Sequence, residues 1–138
     1  MVHPVNVLLA LRYVTKDIIK IETSKTAFIL PSFSSPDDKV RIEKERIWIH
    51  RNEVLDSIEV LEDDKIKFYS YTYKVYVEDS WVPLVRFDNW EIGPHYDKYD
   101  ENGSLVEQKL CQRKSLEEVT NLAREFRHNL LTMDISTL

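Results

Sequence analysis

The sequence predicts an α+β domain in which a bent antiparallel β-sheet, a meander, carries one C-terminal amphipathic helix on one of its faces. Residues 67–78 alternate in side-chain character, as strands with one buried face do. Residues after Ser115 place apolar side chains at spacings of three and four, as helices with one buried stripe do. We expect one domain over residues 1–138, with an N-terminal β unit over 1–66 and the meander plus helix over 67–133.

Composition narrows the class of protein before any motif is considered. A chain of 138 residues that is 43% hydrophobic can build one core without disulfides or metal. Its two glycines exclude a glycine-rich phosphate loop and a dinucleotide fingerprint. Cys111 is the only cysteine, which excludes an internal disulfide and a thiolate zinc site. We therefore expect no cofactor and no metal.

Charge and hydropathy indicate where such a protein would work. The net charge of -5, with both signs mixed along the chain, argues against strong nonspecific binding to duplex nucleic acid. No apolar run approaches the roughly 18 residues of a membrane helix, and residues 5–11 have no basic leader. We expect a cytoplasmic protein that does not bind membranes. High charge with only two glutamines and one cysteine fits a thermophile's preferences.

The first half of the chain contains short apolar segments separated by turns. Residues 5–14 fit both a strand and a short buried helix, and we favour a strand because residues 18–21 follow a polar turn. Residues 26–30 are β-branched and aromatic and stop at Pro31, which predicts a short strand. Residues 31–38 collect turn formers and predict a loop.

The pattern then predicts further strands as far as the meander. Residues 40–42 and 46–50 alternate, with Ile47 and Ile49 on the buried side of the second segment. A turn at residues 52–56 would precede a short strand at 58–60. The charged run at 62–65 predicts a solvated turn.

The meander is predicted from four segments, at residues 67–78, 81–88, 96–99 and 105–110. Pro83 indicates an edge position or a bulge in the second of them. Gly103 supplies the positive φ that the last turn requires. Tyr69, Tyr71 and Tyr73 share one face, which continues into apolar residues, and we interpret them as core rather than as a platform for RNA bases.

The closing helix has a marked start. Ser115 is the predicted cap, and Glu118 three residues later completes a capping box. One apolar stripe follows and would cover the tyrosine face of the meander, formed by Leu116, Val119, Ala123, Phe126, Leu130 and Met133.

Residues 85–99 concentrate the side chains that a reactive site needs. Arg86 and Asp88 point to one side of their strand, and His95 and Asp97 share a side of theirs. A connection of four residues would place Arg86 opposite His95, and one of five would place it opposite Tyr96. The sequence therefore does not decide the register between these two strands.

If the two sets converge, Arg86 would hold a phosphate by a forked contact. His95, oriented by a carboxylate, would transfer the proton of the RNA 2′-hydroxyl. This arrangement suits RNA cleavage through that hydroxyl without a metal. The candidate catalytic residues are Arg86, Asp88, Asn89, His95 and Asp97. The alternative interpretation assigns these residues purely structural roles. Arg86 and Asp88 would form an ordinary surface ion pair, and Asp88 and Asn89 would begin a turn. His95 would be a neutral strand residue hydrogen-bonded to Asp97.

A second set of residues suggests a surface for RNA or for a protein partner. Trp48 and Trp90 each lie beside charged residues and are the best candidates for exposed aromatic side chains. Arg124 and Arg127 fall on neighbouring helical positions and form a candidate basic patch. The alternative is that these cations favour the helix dipole at its C-terminal end.

Three motifs and the closing helix resemble the TumE-like proteins, toxin components of prokaryotic toxin–antitoxin pairs. The motifs are residues 68–73, residues 85–89 and residues 94–97, and the resemblance covers about residues 68–133. It implies action on RNA or translation and a cognate antitoxin as partner. The alternative is a non-catalytic interaction module, a homodimer or a subunit of a larger assembly, which would use Trp48, Trp90 and the sheet edge.

Overall fold

The structure is a computed structural model that describes residues 25–31 and 39–138. The strands expected at residues 5–14 and 18–21 lie outside the described residues, and so does the loop expected at 31–38, apart from its first residue.

Seven antiparallel strands form one sheet whose spatial order follows the chain. Each strand is therefore bonded to its neighbour in sequence, which confirms the α+β class and the antiparallel meander. The strands are β1 (Lys25–Pro31), β2 (Lys39–His50), β3 (Glu53–Glu62), β4 (Lys65–Val77), β5 (Ser80–Asp88), β6 (His95–Tyr99) and β7 (Leu105–Leu110).

The turn expected at residues 52–56 is wrong, because β3 already begins at Glu53. Val54 and Leu55 are fully buried and pair with β2, so burial outweighs the turn-forming side chains around them. The two segments expected at residues 40–42 and 46–50 are parts of the single strand β2.

Short turns with left-handed backbone connect the middle strands. Asp63 and Asp64 between β3 and β4, and Glu78 and Asp79 between β4 and β5, all have positive φ. Two consecutive residues with positive φ give a turn whose twist matches that of the flanking strands. Near Pro83 the pairing of β4 with β5 shifts its register, which confirms an irregularity at that proline.

Helix α1 (Leu116–Phe126) begins as its sequence predicts and ends earlier. Ser115 accepts a hydrogen bond from the Glu118 backbone, and the Glu118 side chain accepts one in return, so the capping box is confirmed. The α-helix stops before Arg127, whose φ of 50° breaks it, and a 3₁₀ helix follows over Arg127–Leu131. The expectation of one continuous helix reaching Met133 is therefore wrong, but all six residues of the predicted apolar stripe lie in or against the core that contains the tyrosine face.

The core contains the tyrosine face of β4. Tyr69, Tyr71 and Tyr73 are buried, so these three rings are not a platform for RNA bases. They share one cluster with residues of β3, β5, β6 and the C-terminal segment, including Leu55, Val85, Phe87, Tyr96, Val119, Ala123, Leu130 and Ile135. Among the described residues, no helix has the length and apolar character needed to cross a membrane.

A buried carboxylate ties the end of α1 to the sheet. Arg127 Nε donates to Glu53 Oε1 at 2.9 Å, and the Tyr73 hydroxyl donates to the same carboxylate. Helix α1 ends at Phe126, and the guanidinium of the next residue, Arg127, lies at Glu53 on β3. The Arg127 hydrogen bond is the main cause that lowers the pKa of Glu53 below its ordinary value, and the Tyr73 hydrogen bond lowers it further.

We expect this contact to make stability depend on pH in the acid range. A carboxyl whose folded pKa is lowered contributes stability that is complete above its unfolded pKa of about 4.3 and is lost as pH falls through the folded value. Glu53→Gln should therefore lower the free energy of unfolding at pH 7, and the gap from wild type should shrink below about pH 4. Urea titrations at several pH values measure it, with the exposed Glu125→Gln on α1 as control. A gap that stays constant with pH would contradict the assignment.

Candidate functional site

The pairing of β5 with β6 decides which side chains meet. Arg86 pairs with Asp97 and Asp88 pairs with His95, across a connection formed by residues 89–94. Neither register considered from the sequence is correct, because the connection is longer than four or five residues. The observed register puts the two pairs of side chains on the same face of the sheet. The convergence on which the site depends is therefore present.

Four charged or ionisable side chains form one contact network, which we call the quartet: Arg86, Asp88, His95 and Asp97. Arg86 Nε lies 3.0 Å from Asp88 Oδ2, and Arg86 Nη2 donates to Asp97 Oδ2 at 3.0 Å. His95 Nε2 lies 3.2 Å from Asp88 Oδ1 and 3.5 Å from Asp97 Oδ2. His95 is 3% exposed and Asp97 1%, whereas the Arg86 side chain is 41% exposed. The arginine is thus the member most open to solvent.

The surroundings of His95 define where its protons lie. Nδ1 is 2.7 Å from the Gly93 carbonyl oxygen, which can only accept, so Nδ1 carries a hydrogen. Nε2 faces two carboxylate oxygens, which also accept, so a proton must lie either on Nε2 or on a carboxyl group. Burial raises the pKa of Asp88 above its ordinary value. His95 Nε2 and Asp88 Oδ1 lie 3.2 Å apart, so the two side chains are placed to exchange a proton.

Neighbouring groups fix the two carboxylates. The Trp90 backbone N–H donates to Asp88 Oδ1 at 2.9 Å, and Gln108 Nε2 donates to Asp97 Oδ1 at 2.9 Å. Sequence reasoning missed Gln108. Its position in the alternation of β7 was the only indication in the sequence. That position identifies Gln108 as a neighbour of Asp97 only once the register of β7 on β6 is known, and the structure supplies this register.

Asn89 lies next to the quartet and has a different task. Its Oδ1 accepts from the Tyr69 backbone N–H, and its Nδ2 donates to the Lys67 carbonyl, both at 2.9 Å. Asn89 therefore anchors the β5–β6 connection to β4. Both polar ends of its amide are bound to backbone, so it is a positioning residue.

A cavity of about 270 Å³ lies beside the quartet. Arg86 and Asp88 line it, while His95 does not and reaches it only through Asp88. The Phe68 and Trp90 rings, whose centroids are 5.1 Å apart, form part of the wall. The other lining residues are Ile58, Val60, Tyr69 and Ser70. The cavity thus combines a cation, a carboxyl group, a hydroxyl and aromatic surface.

Three members of the quartet have the donor types of a metal site. Ligand atoms of Asp88, His95 and Asp97 lie within 4.8 Å of one another, the one such group among residues 25–31 and 39–138. The Arg86 guanidinium, however, already lies 3.0 Å from both carboxylates. A cation would have to displace the Arg86 guanidinium, so the geometry gives a metal no advantage.

The remaining predicted residues lie in other surroundings. Trp48 is 38% exposed and packs on Trp81, with ring centroids 5.8 Å apart, away from the cavity lining. Trp90, which was expected to be exposed, is half-buried and lines the cavity. Arg127 is bound to Glu53, and Arg124 is exposed on α1. The structure therefore brings Trp90 to the quartet and leaves Trp48, Arg124 and Arg127 outside the site.

Comparison with known proteins gives a family and no activity. A family model described as "Domain of unknown function (DUF7718)" matches residues 43–130, which include every strand and connection that builds the quartet. No curated protein matches the chain. No solved structure matches it.

Proposed function

The chain belongs to the DUF7718 family, whose description assigns no activity, and we propose from the site itself that it cleaves RNA without a metal. The observation that carries the proposal is the cavity in which Arg86 and Asp88 lie beside Phe68 and Trp90. A guanidinium fits a phosphate oxygen pair, and an aromatic ring fits the face of an unstacked base. A nucleotide of single-stranded RNA presents both groups.

The positions of the quartet favour Asp88 rather than His95 as the group that meets the substrate. Asp88 lines the cavity and is placed to exchange a proton with His95, which is buried behind it. Asp88 accepts the proton of the 2′-hydroxyl while the 2′-oxygen bonds to phosphorus and the bond from phosphorus to the 5′-oxygen breaks. The Asp88–His95 pair returns one proton to the 5′-oxygen. The Asp88–His95 pair thus returns to its starting protonation state. The products are a 2′,3′-cyclic phosphate and a free 5′-hydroxyl.

Arg86 contributes binding and charge stabilisation in this scheme. Its side chain is the exposed member of the quartet, and Asp97 and Asp88 hold its guanidinium from one side. A phosphate can bind the remaining N–H groups, and the same cation stabilises the extra negative charge of the transition state. Asp97 never meets the substrate and acts by positioning Arg86 and His95.

The resemblance to TumE-like proteins gives this chemistry a biological setting within the proposal. A toxin that cleaves cellular RNA in the cytoplasm stops growth, and a cognate antitoxin protein blocks it. The motifs that carry the resemblance include Arg86, Asp88, Asn89, His95 and Asp97, so the setting and the chemistry rest on the same residues.

A cleavage assay on a short fluorescent single-stranded RNA tests the proposal. We expect cleavage in the presence of EDTA, and none of a matched strand with a single 2′-deoxy nucleotide at the cleaved position, because the 2′-hydroxyl is the nucleophile. Products should carry a cyclic phosphate by mass spectrometry. Absence of cleavage of any single-stranded RNA overturns the proposal, and cleavage abolished by EDTA transfers the chemistry to a metal on Asp88, His95 and Asp97.

A non-catalytic interaction module is the second candidate, and one surface favours it. Trp81 packs against both Trp48 and Tyr76, and Arg46 lies over its ring at 4.9 Å. Trp48 and Tyr76 are exposed, and aromatic residues with arginine are frequent at protein interfaces. If this module is the function, growth arrest on expression should depend on Trp48 and Trp81 and be unaffected by Asp88→Asn.

A further inference from the structure

Strand β7 is the last strand of the described sheet, and its side chains are unusually open for apolar residues. Val106 is 62% exposed and Leu110 is 64% exposed. Among residues 25–31 and 39–138, no strand pairs with its outer side. An outer strand with exposed apolar side chains is a template for pairing with another strand.

The hydrogen bonding of β6 with β7 shows which backbone groups point outward. Cys111 N donates to the Pro94 carbonyl at 3.1 Å, in line with the β6–β7 register. Bonded pairs alternate along an antiparallel ladder, so Lys109 and Glu107 direct their backbone groups to β6. Gln108 and Leu110 therefore direct theirs away from the sheet. The register shift between Lys98 and Tyr99 leaves Val106 without a partner on β6, so β7 bulges at Val106 and is regular from Glu107 to Leu110.

These directions restrict how two copies of β7 can pair antiparallel. Outward-facing residues must meet outward-facing residues, so the two-fold axis must pass through a residue of β7. The registers centred on Glu107 and on Gln108 each pair five of the six strand residues, and the other centres pair three or fewer. Centring on Glu107 places this residue opposite itself, and like charges directly opposite are destabilising. The register centred on Gln108 instead places Glu107 opposite Lys109 of the second copy, twice by symmetry.

The same register also joins the apolar residues. Leu110 comes opposite Val106 of the second copy, the residue at which β7 bulges, at both ends of the paired segment. Both side chains are open in the single chain. One short segment thus complements itself in backbone bonding, in charge and in apolar contact. A two-fold axis through Gln108 is the symmetry of an ordinary homodimer.

We propose that two copies of this chain pair through β7 in the register centred on Gln108, which joins their sheets into one continuous sheet. Gln108, which holds Asp97, then lies at the dyad, and the two quartets flank it on the same face of the joined sheet. A six-residue edge buries less than the roughly 1,600 Å² of a standard interface, so the dimer should dissociate in the micromolar range.

Charge exchange across the dyad provides a sharp test. Glu107→Lys and Lys109→Glu should each be monomeric over about 1 to 200 µM, a range in which the wild type dimerises, because each places like charges opposite one another. An equimolar mixture of the two variants should form heterodimers, since every facing pair is then opposite in charge. Analytical ultracentrifugation measures the association. Circular dichroism checks the fold of each variant, above all of Glu107→Lys, which also removes the ion-pair partner of Lys98 in its own chain.

A second variant separates the interface from the fold. Leu110→Pro removes an outward backbone N–H and leaves the bonds to β6 in place, and it should abolish dimers, whereas Leu110→Val should keep them. A wild type that stays monomeric throughout this range overturns the proposal. Single charge variants that dimerise as the wild type does, or a mixture that stays monomeric, also overturn it. These readouts need no RNA and are independent of the cleavage activity.

Discussion

Asp88→Asn should slow RNA cleavage by about 100- to 10,000-fold, the range over which a positioned acid–base group accelerates proton transfer. Asparagine has the size of aspartate and can still accept from the Trp90 backbone N–H, so the β5–β6 connection should keep its shape. The amide cannot take the 2′-hydroxyl proton or exchange one with His95. The loss should therefore appear in kcat, with KM nearly unchanged.

The matched control for this change is Asp63→Asn, in the exposed turn between β3 and β4. Asp63 has positive φ, a conformation that asparagine also tolerates, so the same chemical change occurs without strain. We expect its activity to equal that of the wild type. Arg86→Gln should act differently, by raising KM and lowering kcat, because Arg86 would contact the phosphate in both ground and transition states. An Asp88→Asn protein as active as the wild type would falsify the assignment of the site.

Asp97→Ala should lower the free energy of unfolding by about 3 kcal/mol, the lower end of the cost of breaking a buried ion pair. The substitution removes the acceptor that Arg86, Gln108 and the Tyr99 hydroxyl share. It leaves the Arg86 guanidinium with Asp88 beside it, so the cost of desolvating the cation is only partly offset. We use the lower end of this range because the Arg86 side chain is 41% exposed, so water can hydrate the guanidinium once Asp97 is removed.

Urea unfolding measures this loss, with Glu101→Ala in the exposed β6–β7 turn as the control that should stay within about 0.5 kcal/mol of wild type. A second comparison separates charge from packing. The double variant Arg86→Met/Asp97→Leu should lose less stability than Asp97→Ala, because removing both charges also removes the cost of desolvating them. A single variant as stable as the Glu101→Ala control would mean that the quartet contributes nothing to folding.

Most of the strands could be predicted from the sequence, because their signals are local. The alternation at residues 67–78, the capping box at Ser115 and the turn at Gly103 each depend on neighbours within a few positions, and each appears where expected. The start of β3 was missed because Val54 and Leu55 are buried by distant partners. The end of α1 was missed because Arg127 leaves helical geometry to bind Glu53, which is far away in sequence.

The sequence by itself determined which side chains of β5 and β6 share a face, since alternation along a strand is a property of the backbone. Only the tertiary structure decided that these faces coincide, because the parity of the register depends on how the connection at residues 89–94 folds, and no local pattern encodes that fold. It also decided that Asp88 rather than His95 lines the cavity, and that Gln108 holds Asp97. Burial and register are collective properties of the whole sheet.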